Sequence, residues 1–165
     1  MRDRTCTTTA SACCRWSACG GRGRGRVPDD RGPYTFGQQI VFAHDGRPFL
    51  SYESRSWLLG PDGEIIRQAA RETGFWRPQP GGELEVLILH ATGIAEIFYG
   101  KARNLTSWEI QTDAVARTAT AKDVTASLRL YGIVEGGDLA YVDERAMEGQ
   151  ELQPHLSARL SRVAG

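Results

Sequence analysis

The sequence predicts an all-β protein, an antiparallel up-and-down β-barrel of about ten strands. Three observations carry that expectation. From Tyr34 onward, short runs rich in β-branched and aromatic residues recur at regular spacing. Turn dipeptides such as Asp45-Gly46 and Gly136-Gly137 punctuate them, and hardly any stretch shows a sustained helical period. Consecutive hairpins need only short connections, and closing the sheet on itself leaves no exposed edge, so a barrel is the simplest closure. A chain of 165 residues suits one domain with a real core.

Taken in order, Tyr34–His44 reads as a strand that stops at the Asp45-Gly46 turn, and Arg47–Trp57 returns as its partner. Gly60-Pro61-Asp62-Gly63 turns the chain into an extended stretch that runs through Glu72–Arg77. Gly81-Gly82 opens Glu83–His90, and Thr92-Gly93 separates that strand from Ile94–Gly100. A turn at residues 104–107 precedes Trp108–Thr112, and further strands read at Thr125–Val134, Leu139–Ala146 and His155–Val163. A barrel this wide is expected to enclose more volume than its own side chains fill, and hence to hold a ligand.

Composition narrows the function. Twenty basic and twenty acidic side chains cancel, so bulk charge points to neither a nucleic-acid nor a membrane partner. No apolar run approaches the roughly 20 residues of a spanning helix, and the start lacks the apolar core of a secretory signal, so a cytoplasmic protein is expected. Cys6, Cys13, Cys14 and Cys19 all fall early, without the usual C-x2-C clip or a nearby histidine, which argues against both a disulfide scaffold and a zinc site.

Residues 1–31 differ in texture from 32–165. They are rich in Thr, Cys, Ser and Arg and carry Gly21-Arg22-Gly23-Arg24-Gly25-Arg26. Taken literally this is a basic, disordered tail, with a weak capacity for RNA. The barrel would then have its first strand missing or disordered, with an open edge beside its mouth.

The sharpest functional candidate is His155, in Gln150–Leu160, at the start of the last strand. An imidazole held on a strand can be aimed at a point inside a barrel, where it would ligate haem iron or zinc. On spacing alone, a solvated or hydrogen-bonded histidine near a chain end is the commoner reading. His44, by a turn, and His90, at a strand end, read as surface residues. Phe75, Trp76, Phe98, Tyr99 and Trp108 would line a pocket or, for most of them, fill the core.

Five blocks, in order, carry a family resemblance: Val41–Leu50, Glu72–Phe75, His90–Glu96, Thr120–Thr125 and Gly149–Ala158. On these the chain resembles the nitrobindins, ferric haem proteins shaped like the fatty-acid-binding proteins. The resemblance implies a ten-stranded barrel with haem b at its mouth, peroxynitrite isomerised to nitrate, and nitric oxide as a further ligand. It implies His155 as the axial iron ligand and Lys122 as a haem contact, an ammonium placed to pair with a propionate. It leaves homodimer formation open.

The chain departs from the family at two places. Where the family often has a distal-side histidine, this sequence has Ala70. The Gly-x-Trp-x-Gly-x-Gly strand and the Tyr-Pro-Thr-Ile segment at the family's start are absent. A reading-frame shift accounts for the second departure: Val27–Arg31 encoded as GTA CCC GAC GAT CGA G gives Tyr-Pro-Thr-Ile-Glu one base later. Residues 1–31 are thus either a disordered tail or a frame-shifted segment, and an in-frame read of the present codons at the genomic locus excludes the second. Three functions compete: a haem-dependent peroxynitrite isomerase, a haem-free carrier of fatty acid or another apolar ligand, and an RNA-binding protein acting through its Arg-Gly tail.

Overall fold

The computed structural model describes residues 12–23, as backbone, and 34–164. Ten strands form one closed antiparallel barrel: β1 Ala12–Gly23, β2 Tyr34–His44, β3 Leu50–Leu59, β4 Ile65–Pro78, β5 Glu83–His90, β6 Ile94–Asn104, β7 Ser107–Arg117, β8 Val124–Ile133, β9 Leu139–Met147 and β10 Gln153–Ala164. Each strand pairs with its sequence neighbours, and β1 pairs with β10 to shut the ring. The open edge expected for this chain therefore does not occur. Closure comes from β1, inside the segment that composition sets apart; residues 1–11 and 24–31 lie outside the described residues. No helix among the described residues is long and apolar enough to cross a membrane.

Side-chain alternation decides what fills the barrel. Phe36 and Ile40 on β2, Tyr52 on β3, Trp76 on β4, Val86 and Ile88 on β5, Phe98 on β6, Ile110 on β7, Tyr131 on β8, Tyr141 on β9 and Leu160 on β10 all turn inward and are buried. Several, including Val86, Phe98, Ile110 and Leu160, are 0% exposed, which leaves no water-sized void against them. Among the described residues, large rings take up much of the space that extra strands create. Gly74 on β4 lets this wall close, because a Cβ there would lie 1.8 Å from the Leu87 carbonyl oxygen of β5.

In an up-and-down barrel alternate connections lie at the same end. Residues 60–64, 91–93, 118–123 and 148–152 therefore share one mouth. The sheet flares there. The β4–β5 ladder ends at Glu72↔His90, with one further backbone bond from Ala91 to the Arg71 carbonyl, so residues 65–70 of β4 pair with β3 alone and residues 65–71 are exposed throughout. On the other side the β7–β8 ladder stops at Gln111↔Leu128. Beyond it the Thr112 hydroxyl stands in for the missing backbone bonds, accepting from the Ser127 N–H at 2.8 Å and donating to the Ser127 carbonyl at 3.3 Å.

Candidate functional site

His155 lies at this flared mouth, just past the β9–β10 connection, and an irregularity in the ladder aims it. Pro154 faces Glu144 and Leu156 faces Asp143, so His155 and Leu156 together oppose one residue of β9. Simple alternation from the inward Leu156, Ala158 and Leu160 would turn position 155 outward. The bulge re-aims it toward the interior instead. The ring is half-buried, and its pKa is held down to about 4, first by desolvation and then by the Arg145 guanidinium. At neutral pH the imidazole is therefore uncharged and keeps a lone pair for a metal. Lys122, on the 118–123 connection, is exposed and is among the cations that depress this value, so the fold brings the two sequence candidates to the same mouth.

Below His155 the interior is charged, which the sequence pattern did not disclose. The Arg129 guanidinium donates to both Glu72 carboxylate oxygens at 3.0 Å, and Tyr52 donates its hydroxyl to Glu72 at 2.8 Å. Arg145 donates to Asp143 at 3.0 Å and lies 3.6 Å from Glu72. Glu96, 1% exposed, accepts from Ser127 at 2.5 Å and meets His90 Nε2 at 2.6 Å. Desolvation alone would push Glu72 up; the charge and paired hydrogen bonds of Arg129 overcome it and hold the carboxyl well below the usual range.

The other candidates sort by position. His90 is not a surface residue: its side chain is 5% exposed and sits between Glu72 and Glu96, which come from the strands on either side of β5. His44 is at the opposite end, where its Nδ1 accepts from the Gly46 N–H at 3.2 Å. Ala70 lies on the exposed overhang of β4 and hydrogen-bonds Ser56 through its backbone N–H. Trp76 and Phe98 fill the core and Trp108 packs against it, but Phe75 and Tyr99 point outward at 49% and 54% exposure. Odd spacing from Trp76 and Phe98 puts them on the outer face, a parity the sequence alone left unassigned. The side chains of all four cysteines, and Arg22, Arg24 and Arg26 of the Arg-Gly tract, lie outside the described residues. Among the described residues no cluster of His, Cys, Asp and Glu has the form of a metal-ion site.

An uncharged imidazole at the flared rim of a closed antiparallel barrel defines a β-barrel with a nitrogen donor at its mouth. Haem-binding barrels are the class with that form. The profile of the THAP4-like, heme-binding beta-barrel domain matches residues 14–162, and the chain belongs to that family. It is 54% identical over 146 residues to the ferric nitrobindin-like protein of Saccharopolyspora erythraea, covering 88% of this chain and 68% of that one. It is 50% identical over 151 residues to the peroxynitrite isomerase of Mycobacteroides abscessus, covering 87% of this chain and 74% of that one. The crystal structure of Rv2717c from M. tuberculosis superimposes with a TM-score of 0.75 at 33% identity, covering 90% of this chain and 91% of that one. The resemblance to nitrobindins read from the five sequence blocks is thereby borne out.

Proposed function

We propose that this protein holds ferric haem b at the flared mouth through His155 and isomerises peroxynitrite to nitrate there, with nitric oxide as a further ligand. The observation that carries the reading is the bulge at His155, which turns an uncharged imidazole inward at the one end where the sheet flares. When bound, ferric haem supplies a Lewis-acidic iron, at which the weak O–O bond of peroxynitrite rearranges to nitrate. The chain's own residues position and shield. His155 offers one ring nitrogen, and Lys122 offers an ammonium to a propionate. The packed interior around Tyr52, Phe98 and Arg129 bars water and deeper entry from the His155 side. Ala70 presents only a methyl group on the overhang, so a bound ligand gains no imidazole there.

Relatives named peroxynitrite isomerase, at about half identity over most of the chain, support this reading. The carrier reading is weaker on the same ground. An acyl chain threaded along the barrel would meet buried Arg129, Glu96 and Asp143 and a solid set of aromatic rings. Titrating ferric haem into purified protein tests the proposal. A Soret band is expected in the parent protein and absent in His155→Ala, and the haem-loaded parent is expected to speed peroxynitrite decay with nitrate as product. A Soret band that survives His155→Ala unchanged, or no band at all, overturns it.

A further inference from the structure

We propose that Asp143 is the positioning residue for His155, its Oδ1 accepting the N–H of whichever ring nitrogen does not bind iron. The inference rests on the haem reading above, and it comes from an atom left over in the interior. Among the described residues, three buried side-chain polar atoms make no hydrogen bond: Trp76 Nε1, Arg129 Nε and Asp143 Oδ1. Two are donors. Asp143 Oδ1 is the one acceptor, and its residue is 2% exposed.

Register puts that acceptor where it is needed. The bulge that turns His155 inward leaves His155 and Leu156 jointly opposite Asp143 on the adjoining strand. Asp143 points inward with Tyr141 and Leu139, on the side to which the bulge turns the imidazole. The other buried acceptors at this level are already engaged. Glu72 takes Tyr52 and both terminal nitrogens of Arg129, Glu96 takes Ser127 and faces His90, and Gln38 takes Tyr141.

Asp143 is also fixed in place. Its Oδ2 accepts from Arg145 at 3.0 Å, while Arg129 Nε stands 3.4 Å from Oδ1, an ion-pair distance that makes no hydrogen bond. The carboxylate is thus anchored through one oxygen with lone pairs of the other unused. A neutral imidazole that gives one nitrogen to a metal carries its proton on the other, and that N–H needs an acceptor once it is out of water. A carboxylate in that place sets the ring's rotation and strengthens it as a donor. Asp143 is among the charges acting on His155, and it opposes the effect of Arg145.

The test compares haem-loaded parent protein with Asp143→Asn and Glu72→Gln, which each remove one negative charge from the same cluster. Only Asp143 opposes His155, so only Asp143→Asn is expected to lower the ferrous iron–histidine stretching frequency by resonance Raman. It is also expected to weaken the preference for ferric over ferrous haem about tenfold, equivalent to an upward shift of about 59 mV in midpoint potential. Equal changes in the two variants, or an unchanged stretch in Asp143→Asn, overturn the assignment.

A second measurement needs no variant. In the cyanide-bound ferric parent, the free ring N–H of His155 is expected to exchange slowly and to show a nuclear Overhauser effect to the Asp143 β-protons; fast exchange, or contact with another acceptor, overturns it. A parent protein without a Soret band would remove the haem reading and this inference together. A band at a haem whose iron–histidine stretch ignores Asp143→Asn removes this inference alone.

Discussion

The two halves of the barrel interior are built from different chemistry. Toward the mouth that holds His155 the filling is ionic: Glu72, Glu96, Asp143, Arg129 and Arg145, with His90 between two carboxylates. Toward the other end it is aromatic. Trp76 packs edge-on to Phe42 at 5.4 Å and to Tyr131 at 5.1 Å, and Tyr131 stacks on Tyr141 at 5.5 Å. Tyrosine hydroxyls join the halves: Tyr52 reaches Glu72, and Arg129 reaches Tyr131. Burying large rings stabilises through area and shape. Burying charges costs desolvation that the pairing does little more than offset, so an ionic half is weak evidence for stability and better explained by what it does for the mouth above it. The difference teaches that one end is filled by packed rings while the charges gather beneath the mouth where the haem site is proposed.

The largest effects come from breaking each half in turn. Trp76→Ala should cost about 3–5 kcal/mol in denaturant unfolding, the range for emptying a large aromatic site. Arg129→Met should cost a similar amount, about 3–5 kcal/mol, because it strands the buried Glu72 and Asp143 carboxylates. The two losses should respond differently to a second change. Adding Glu72→Gln to Arg129→Met removes one stranded charge and should recover part of the loss, whereas adding it to Trp76→Ala should recover none. Equal recovery in both would erase the distinction between the halves.

Acid should weaken the ionic half and leave the aromatic one untouched. Glu72 is held below its ordinary value in the fold, so its stabilisation is present above about pH 4.5 and is lost as the pH falls from there toward the folded value. His155 acts in a separate window. Its pKa falls from 6.5 unfolded to about 4 folded, so between those values the unfolded chain binds the extra proton, and the metal-free protein should lose stability as pH drops from 6.5 to 4. Chemical denaturation across pH should show both declines, with His155→Ala flattening the upper one only. The smallest effect belongs to Lys122. As an exposed cation, its replacement by alanine should weaken haem retention only about two- to fivefold, read from haem transfer to a competing acceptor, with folding stability unchanged.

Much of this was legible beforehand, for reasons specific residues make plain. Turn chemistry at Asp45-Gly46, Gly81-Gly82 and Gly136-Gly137 marked the hairpins, and the β2 and β5 boundaries read from sequence coincide with the observed ones. Less legible were strand ends without a turn signal: β6 and β7 run on to Asn104 and Arg117, where backbone pairing with each other extends them past their apolar runs. His90 was misplaced at the surface because nothing local shows that its partners, Glu72 and Glu96, come from two neighbouring strands. Arg129 and Asp143 gave no signal at all, since charged residues in alternating strands read as solvent-facing.

The sequence by itself determined the all-β class, the order of the hairpins, the family and the one imidazole worth following, because period, turn residues and ordered motif blocks are properties of the chain read in line. Only the tertiary structure decided which side of each strand faces in, that a bulge turns His155 inward opposite Asp143, and that three carboxylates and two guanidiniums pair with one another in the interior. Those are matters of register between strands far apart in the chain, and a shift of one residue in any ladder would have reversed them.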